Sequence, residues 1–358
     1  MRMNALLVDV REAVASFPTG KGMWVKHVVS ACVKKGIPLL LLTDSPVPEC
    51  WHTDTVHVRQ FCRSMFWHVS VWNFLRYQPV ETVYISPTSY IIPACVPSHI
   101  RSIPVVHDLI AFRSEPHSRR AQWIERLLLR RCLRNAYCIC TVSESTKRDL
   151  LEKCPFVQEK KVMVVGAGPT VSLRAAPPLT PRLQGEGKAR ILCIGTLCPR
   201  KNQLRLIEAF SQLDTDVELI LVGGRGWSDS AIVRAAQETP RVRWMGYVSM
   251  KEMQELLQSS TLLAFPSLYE GFGFPVLDAF VCSVPVLTSE RGSLREIAGD
   301  AALVVDPEDV SSIRHGLAVL LSDGRLRETL VQKGRERATQ FSWERTVEKI
   351  CESSTLSI

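Results

Sequence analysis

The chain has 358 residues, of which 46% are apolar and 22% are charged, and this composition excludes a disordered or low-complexity protein. At roughly 150 residues per domain, the length predicts two domains. Neither a signal peptide nor an apolar run of the roughly 18 residues that span a membrane is recognisable. The twelve cysteines contain no CxxC pair, which favours buried thiols in a reducing cytosol over disulfides or a zinc site. We therefore expect a cytoplasmic protein that is soluble or bound to a membrane surface.

Positive charge is concentrated in the first half of the chain. Residues 1–170 carry 22 Lys and Arg against 13 Asp and Glu, a net charge of +9, whereas residues 171–358 carry 22 against 23, a net charge of −1. In the densest stretch, 117–134, a helical repeat places four arginines on one face: Arg119, Arg126, Arg130 and Arg134. The residues expected on the opposite, inward face are Trp123, Ile124, Leu127 and Leu128.

These arginines have two interpretations. They form either a solvated stripe on a helix that packs inward, or a patch that meets an anionic surface of lipid headgroups or of an acidic acceptor. The stretch has no interleaved aromatic residues and no recognised nucleic-acid motif, so nucleic acid is not the expected partner.

Short β-rich apolar runs alternate with helix-period segments along nearly the whole chain, which predicts parallel sheets covered by helices. In the first half, the predicted strands are 5–8, 38–42, 82–85, 104–106, 137–141 and 162–165. In the second half, they are 189–194, 217–222, 242–244, 262–265, 285–287 and 302–305. The predicted fold is α/β, with two doubly wound, Rossmann-like domains.

A break between the two halves falls at 166–188, where Gly, Pro and small residues replace any periodicity. We therefore expect domains at 1–170 and 171–340, facing a cleft that is lined by loops at the carboxyl ends of the strands. The run VVGAGPT at 164–170 resembles the opening of a dinucleotide-binding fingerprint, but the third glycine is replaced by Val171 and no helix is predicted to follow. NAD is therefore not an expected cofactor. Further along, Ser249 with Glu252 and Ser293 with Glu296 predict capping boxes at helix starts.

In the first half, a strand that ends in VVHD places His107 and Asp108 at the cleft. A lone histidine is more often a satisfied core residue, but the strand-end position favours a site role. Ser143 begins a helix, either as its N-cap or as part of the cleft lining.

In the second half, the loop GTLCPRKN at 195–202 follows a strand and opens a helix. Arg200 and Lys201 stand at that helix start, where a cation is unfavourable for the helix dipole. A bound diphosphate would explain both, because Arg can clamp phosphate oxygens and Lys can act as a point charge. Thr196 in the same loop is a further candidate. The alternative is a pair of surface cations without a role.

The stretch FPSLYEGFGFPVLDA at 265–279 is a strand end, a glycine-containing loop and the start of a helix. Gly271 and Gly273 allow close approach of a ligand, and the helix start offers N–H groups to a phosphate or sugar oxygen. Glu270 and Asp278 bracket the loop. Two carboxylates around a phosphate cradle suit a nucleotide sugar, with one acid on the hexose and the other on the ribose. The alternative is a turn that caps a core helix.

Together, these motifs resemble the retaining glycosyltransferases of GT-B fold, in the group that contains sucrose synthases and bacterial mannosyltransferases. The resemblance spans about residues 15–345 and rests on an E-x7-E-like signature from Glu270 to Asp278 and on the loop at 195–202. Three further segments support it: LVG-x-x-GW at 221–227, HDL at 107–109 and VSE-x-(S/T)-KRDL at 142–150.

The resemblance implies roles for the candidate residues. Glu270 would hold the hydroxyls of the donor sugar, beside the backbone of Gly271, Phe272, Gly273 and Phe274. Arg200 and Lys201 would bind the diphosphate, and Asp278, which stands where the family usually has Glu, would bind the ribose. His107 would lie against the donor sugar, with Asp108 orienting neighbouring groups. The loop with Gly20 and Gly22 would lie under the diphosphate and guide the acceptor.

The function implied is transfer of a hexose, with mannose from GDP-mannose as the expected donor, to a glycan or lipid-linked acceptor in polysaccharide or lipopolysaccharide biosynthesis. The resemblance implies retention at the anomeric carbon, a nucleotide-diphosphate sugar as co-substrate, and no metal or other cofactor. Residues 341–358 would return to the first domain, whose basic surface would associate peripherally with an anionic membrane on its inner face. Two alternatives remain: another enzyme of the same fold, such as a nucleotide-sugar epimerase or phosphorylase, and a catalytically silent nucleotide-sugar-binding module.

Overall fold

The computed structural model of the chain describes residues 5–62, 66–112, 119–171 and 189–354. The chain divides into two compact units, one formed by Met1–Gly168 with Ser342–Ile358 and the other by Pro169–Phe341. Most of the predicted linker, 166–188, lies outside the described residues.

Within the described residues, the first unit contains a parallel sheet of seven strands. The strands are β1 (Leu6–Asp9), β2 (Leu39–Thr43), β3 (Val56–Gln60), β4 (Val83–Ser86), β5 (Arg101–Val106), β6 (Ile139–Thr141) and β7 (Val162–Val164). Their order across the sheet is β3-β2-β1-β4-β5-β6-β7. The helices that connect them are α1 (Gly20–Lys34), α2 (Trp67–Arg76), α3 (Ile91–Cys95), α4 (Arg119–Asn135) and α5 (Glu144–Lys153).

The second unit contains, over residues 189–341, a parallel sheet of six strands. The strands are β8 (Arg190–Ile194), β9 (Glu218–Val222), β10 (Val242–Trp244), β11 (Leu262–Phe265), β12 (Val286–Thr288) and β13 (Leu303–Val304), in the order β10-β9-β8-β11-β12-β13. The helices are α6 (Gln203–Ser211), α7 (Ser230–Glu238), α8 (Met250–Ser259), α9 (Phe274–Val281), α10 (Leu294–Ala298), α11 (Val310–Ser322) and α12 (Gly324–Ala338).

All twelve predicted strands are confirmed, with ends that differ by at most three residues. Strands such as β4 and β11 bury every residue, because helices cover both faces of a doubly wound sheet. That burial explains why they stand out in the sequence as unbroken apolar runs. The prediction missed β3, an edge strand in which only Val56 is buried and the other residues are exposed.

The last helix of the chain, α13 (Trp343–Ser353), belongs to the first unit and packs against α1. The Trp343 ring stacks on His27 with ring centroids 5.0 Å apart and lies edge-on to Trp24. An ion pair joins Lys35 of α1 to Glu348 of α13 at 2.8 Å. Aromatic packing and charge thus hold the end of the chain on the first unit.

The helix α4 is turned differently from the prediction. Trp123, Ile124 and Leu127 were expected to face inward, but all three are exposed, and the buried face contains Leu129 and Leu133. The expected inward face is therefore wrong. At about 100° per residue, Trp123 and Leu127 lie within about 60° of Arg130 and Arg134, so they share the arginine face.

In the part of the chain that the structure describes, no helix combines the length and the apolar character needed to cross a membrane.

Candidate active site

The strand order of the second unit reverses between β8 and β11. At such a switch point, the loops that leave the two neighbouring strands diverge, and ligands of doubly wound sheets bind in the crevice between them. The loop after β8 is 195–202 and the loop after β11 is 266–273. The fold therefore brings the two most informative sequence motifs of the second half to the same edge of one sheet.

Three charged side chains meet between these loops. Nη1 of Arg200 lies 3.0 Å from Oε2 of Glu270, and Nζ of Lys201 lies 2.7 Å from Oε1 of the same carboxylate. All three side chains are nearly buried, with exposed fractions of 9–12%. Two cations share one carboxylate, so this cluster, which we call the Arg200–Glu270–Lys201 cluster, carries a net positive charge where a ligand would enter.

Burial raises the pKa of the Glu270 carboxyl, but the charges of Arg200 and Lys201 outweigh it and hold that pKa below its ordinary value. Burial lowers the pKa of the Lys201 amine, and the Glu270 charge opposes this effect. Glu270 is therefore ionised at neutral pH, a state in which its oxygens can accept hydrogen bonds from hydroxyl groups.

The chain around the cluster is held by hydrogen bonds that tie the loop at 195–202 to the loop at 266–273 and to Pro307. Asn202 adopts a left-handed conformation with φ of 61°, and its Nδ2 donates to the carbonyl oxygens of Pro266 at 3.0 Å and Pro307 at 2.6 Å. The backbone N–H of Leu268 donates to the carbonyl of Arg200 at 2.8 Å. The hydrogen bonds of Asn202 and Leu268 fix the direction in which the side chains of Arg200 and Lys201 leave the backbone. Thr196, in the same loop as these two cations, is exposed.

Ser293 holds the loop at 266–273 in place through its side chain. Its hydroxyl donates to the carbonyl oxygens of Glu270 at 3.0 Å and Phe272 at 2.7 Å, so the predicted capping box with Glu296 is wrong. The reason is local: Ser293 has helical backbone angles, whereas an N-cap residue is extended, and its side chain is free to reach the neighbouring loop. By contrast, the capping box of Ser249 and Glu252 is confirmed.

The loop from Gly271 to Phe274 leads directly into α9. Gly273 takes the cap position of that helix with φ of 104°, a conformation that side-chain-bearing residues rarely adopt. Pro275 lies in the first turn, where its missing N–H costs nothing. The positive end of the α9 dipole therefore adds to the charge of Arg200 and Lys201 at this edge of the sheet.

Asp278, in the second turn of α9, has partners within its own unit. Its carboxylate accepts hydrogen bonds from the backbone N–H and the hydroxyl of Thr170, both at 2.6 Å, and from the N–H of Val171 at 3.3 Å. Burial raises the pKa of Asp278 to about 6, although these hydrogen bonds lower it in part. The contact with a ribose stays a prediction, and the structure shows that the side chain already anchors the start of the second unit.

In the first unit, His107 and Asp108 follow β5, at the carboxyl edge of its sheet. Nε2 of His107 lies 2.8 Å from the carbonyl of Pro87, which can only accept, so this nitrogen carries the proton. Burial lowers the pKa of His107 to about 3. Its imidazole is therefore neutral at physiological pH and is not a general base that titrates near pH 7.

Asp108 pairs with Lys21, whose Nζ lies 3.4 Å from Oδ2, and this charge raises the pKa of Lys21. Lys21 lies between Gly20 and Gly22 in the first turn of α1, a helix capped by Thr19. A Cβ on Gly22 would lie 2.4 Å from the carbonyl oxygen of Glu12, so the tight packing of this turn requires glycine. Ser143 is the N-cap of α5, with its hydroxyl 3.0 Å from the N–H of Thr146.

Sequence reasoning thus found the charged residues of the second unit and missed the residues that hold them in place. The contacts of Asn202, Ser293 and the Thr170 hydroxyl join positions far apart in sequence, and no motif predicts them. Within the described residues, no group of three His, Cys, Asp or Glu side chains is arranged to hold a metal ion.

Comparison with known proteins identifies the class. The family described as glycosyl transferases group 1 matches residues 181–337, which include both loops of the site. Over 257 residues, the chain is 33% identical to O-antigen chain mannosyltransferase B of Escherichia coli, a match that covers 68% of this chain and 67% of that protein.

Two solved structures share the fold over nearly the whole chain. Sucrose-phosphate synthase from Thermosynechococcus elongatus has a TM-score of 0.76 at 19% identity, with 98% of each chain covered. The Anabaena protein HepE, solved in complex with UDP and glucose, has a TM-score of 0.77 at 17% identity, with 98% of this chain and 99% of that chain covered. The fold is GT-B, and the chain belongs to the group 1 family of glycosyl transferases.

Proposed function

We propose that the chain is a retaining mannosyltransferase that moves mannose from GDP-mannose to a hydroxyl group of a glycan or lipid-linked acceptor in polysaccharide biosynthesis. The observation that carries this proposal is the Arg200–Glu270–Lys201 cluster, which combines two cations for a diphosphate with one ionised acid for sugar hydroxyls. The choice of mannose, and of a lipopolysaccharide-type product, is supported by the similarity to an O-antigen mannosyltransferase.

The two cations would act on the leaving group. As the bond between the anomeric carbon and the diphosphate breaks, negative charge grows on the phosphate oxygen. Arg200 and Lys201, together with the N-terminus of α9, would stabilise that charge in a site that is already arranged for it. This is the charge that a divalent metal neutralises in other transferases, so we propose that transfer proceeds without an added metal or other cofactor.

Glu270 would exchange partners when the donor binds. In the structure, its two oxygens are paired with Arg200 and Lys201. A diphosphate would compete for these cations, and the carboxylate would then accept hydrogen bonds from the sugar. Ser293, which fixes the Glu270 carbonyl, would keep the carboxylate in position while its partners change.

The reaction would keep the configuration at the anomeric carbon. The bond from that carbon to the phosphate oxygen breaks, a bond to the acceptor oxygen forms on the same face, and the acceptor proton passes to the departing phosphate. The products are GDP and the extended acceptor. Since the pKa of His107 lies at about 3, we assign this residue to the shape and hydrogen bonding of the donor site rather than to proton transfer.

A lipid-linked acceptor would place the reaction at a membrane, and we propose a cytoplasmic protein that associates peripherally with the inner face. This location is consistent with the net charge of +9 over residues 1–170.

The test combines donor binding with product analysis. Thermal unfolding is measured with GDP-, UDP- and ADP-sugars, because a ligand at about 100 times its dissociation constant adds about 2.7 kcal/mol of stability. We expect a shift with GDP-mannose and transfer to a synthetic mannosyl acceptor, in the presence of a chelator, with an α linkage by NMR. A shift in melting temperature with a different nucleotide sugar would show that GDP-mannose is not the donor. A β linkage in the product would overturn retention. Binding of a nucleotide sugar without transfer to any glycan acceptor would favour a catalytically silent binding module.

A further inference from the structure

The exposed side of α4 is the strongest unassigned surface feature of the first unit. Trp123, Ile124 and Leu127 occupy its second and third turns and have exposed fractions of 64%, 43% and 51%. Scattered single apolar residues on a surface are ordinary, but three large ones on adjacent turns of one helix form a patch. A tryptophan among them is costly to leave in water.

The helix is fixed so that this patch cannot turn inward. Leu129, Cys132 and Leu133 are buried on the opposite side. Nε of Arg131 donates to the carbonyl of Ala94 at 2.8 Å, and Nδ2 of Asn135 donates to the same oxygen at 2.9 Å. These contacts tie α4 to the C-terminal part of α3, so the apolar patch is a stable feature of the surface.

Positive charge continues the patch along the helix. The 17 residues of α4 include six arginines and one acid, Glu125. Arg130 and Arg134 lie on the exposed side, one and two turns after Leu127, with their guanidinium groups near the rings of Phe112 and Phe156. The helix thus presents large apolar side chains next to cations, the pattern of helices that lie in the interface of an anionic bilayer.

We propose that this α4 surface, formed by Trp123, Ile124, Leu127, Arg130 and Arg134, docks the protein on a bilayer that contains anionic lipid. The apolar side chains enter the boundary between headgroups and acyl chains, a depth that tryptophan favours. The two arginines stay at the level of the phosphates, which attract them.

A second copy of the chain fits this surface less well. A two-fold dimer would place the same face of each copy against the other, and so would bring the arginines of both copies together. Like charges opposed in an interface are unfavourable, whereas the phosphates of a lipid surface complement them. The excess positive charge of residues 1–170 likewise favours an anionic lipid surface over a second copy that carries the same charge.

The inference rests on the proposed function for its purpose, since a lipid-linked acceptor requires the enzyme to reach a membrane. Its test does not depend on transfer. The full chain is sedimented with vesicles of phosphatidylcholine alone and with vesicles that also contain phosphatidylglycerol, at low and high salt. We expect binding to the anionic vesicles, weakened by salt because the arginine contribution is screened.

Two variants separate the contributions of the surface. Trp123→Ser/Leu127→Ser removes apolar side chains and Arg130→Gln/Arg134→Gln removes charge, and each is expected to weaken vesicle binding by about tenfold or more. Tyr77→Ser/Val80→Ser, which removes exposed apolar side chains elsewhere on the same unit, is the matched control and is expected to bind as the wild type does. Thermal unfolding checks that each variant is folded.

Equal binding of the wild type to neutral and anionic vesicles, or undiminished binding by both α4 variants, would overturn the proposal. So would a dimer in solution that the α4 variants dissociate, because the surface would then belong to a second copy. GDP binding is measured on the same samples. Loss of vesicle binding in an α4 variant that still binds GDP would show that the substitutions affect the α4 surface alone. Vesicle binding by a wild type that binds no nucleotide would contradict the proposed function but would still support the α4 surface as the membrane-binding site.

Discussion

Asp278 on α9 accepts hydrogen bonds from both the backbone N–H and the hydroxyl of Thr170, each at 2.6 Å, across 108 positions of sequence. The helix that begins at the candidate donor loop is therefore tied to the first residues of the second unit. A substitution that weakens this contact is therefore expected to disturb both α9 and the first residues of the second unit.

The first prediction concerns the pH dependence of this contact. Burial raises the pKa of Asp278 from 3.8 to about 6, so the folded protein holds a proton that the unfolded chain has already released between these pH values. Protonated Asp278 therefore contributes to the free energy of unfolding. This contribution is fully present below about pH 4 and is lost as the pH rises through about 6, a change on the order of 3 kcal/mol. Asp278→Asn cannot titrate and should lack this loss. Calorimetric unfolding between pH 4 and 7.5 should show the variant gaining on the wild type as the pH rises, and a constant difference would contradict the account.

Asp278 also has a predicted contact with the ribose, and a second variant separates the two roles. Thr170→Val removes the hydroxyl donor but leaves the carboxylate. If Asp278 contacts the ribose, Asp278→Asn should weaken GDP binding by about fivefold, about 1 kcal/mol, as expected for one hydrogen bond. Thr170→Val should then bind GDP nearly as the wild type does. Equal GDP affinities for Asp278→Asn and the wild type would limit Asp278 to its structural contact.

The second prediction concerns the carboxylate of the cluster. Glu270→Gln removes the charge that balances Arg200 and Lys201, which leaves two nearly buried cations facing each other and should destabilise the protein by about 3 kcal/mol. GDP supplies replacement negative charge, so it should raise the melting temperature of the variant more than that of the wild type. Transfer should be lost because the sugar hydroxyls lose their acceptor. A smaller GDP-dependent shift in the variant than in the wild type would show that the cations do not bind the diphosphate.

The third prediction concerns Ser293, whose hydroxyl donates to the carbonyl oxygens of Glu270 and Phe272. Ser293→Ala should leave two buried carbonyl oxygens without this donor, cost about 1–3 kcal/mol of stability and weaken donor binding. Ser353→Ala, in which the lost serine is also buried but lies on α13, should affect stability and not donor binding. Titration of GDP-mannose into both variants checks this, and equal affinities would remove Ser293 from the support of the loop.

The fourth prediction separates strain from hydrogen bonding at Asn202. Alanine and glycine both remove the hydrogen bonds to Pro266 and Pro307, but alanine must also adopt a φ of 61°, which glycine adopts freely. Asn202→Ala should therefore be less stable than Asn202→Gly by about 1 kcal/mol. Urea unfolding of both variants measures the difference. An alanine variant that is as stable as the glycine variant would show that the backbone relaxes at this position.

The fold could be predicted because its strands are buried on both faces, so that runs such as Leu262–Phe265 are apolar throughout. That Arg200, Lys201 and Glu270 lie at the same edge of one sheet could also be predicted, because they stand at strand ends in a recognisable order. The edge strand β3 could not, since the exposed residues after Val56 carry no apolar pattern.

The remaining differences arise from tertiary contacts. Ser293 with Glu296 has the sequence of a capping box, yet the hydroxyl of Ser293 donates to a loop that lies more than twenty residues earlier in the chain. The orientation of α4 is set by Leu129, Leu133 and the bonds of Arg131 and Asn135, which a count of arginines does not reveal. Asp278 similarly resembles a ligand-binding acid in the sequence, and its contact with Thr170 becomes visible only in the folded chain.

The most direct test of the central claim is the affinity for GDP of Lys201→Met, measured by isothermal titration calorimetry beside Lys251→Met. Lys201 is nearly buried against Glu270, whereas Lys251 is 88% exposed on α8, so the two substitutions are chemically identical and differ only in place. We predict that Lys201→Met weakens GDP binding by about tenfold to a hundredfold, about 1.4–2.8 kcal/mol, and that Lys251→Met binds as the wild type does. Unchanged GDP affinity in a folded Lys201→Met protein would contradict the assignment of the Arg200–Glu270–Lys201 cluster to the diphosphate of the donor.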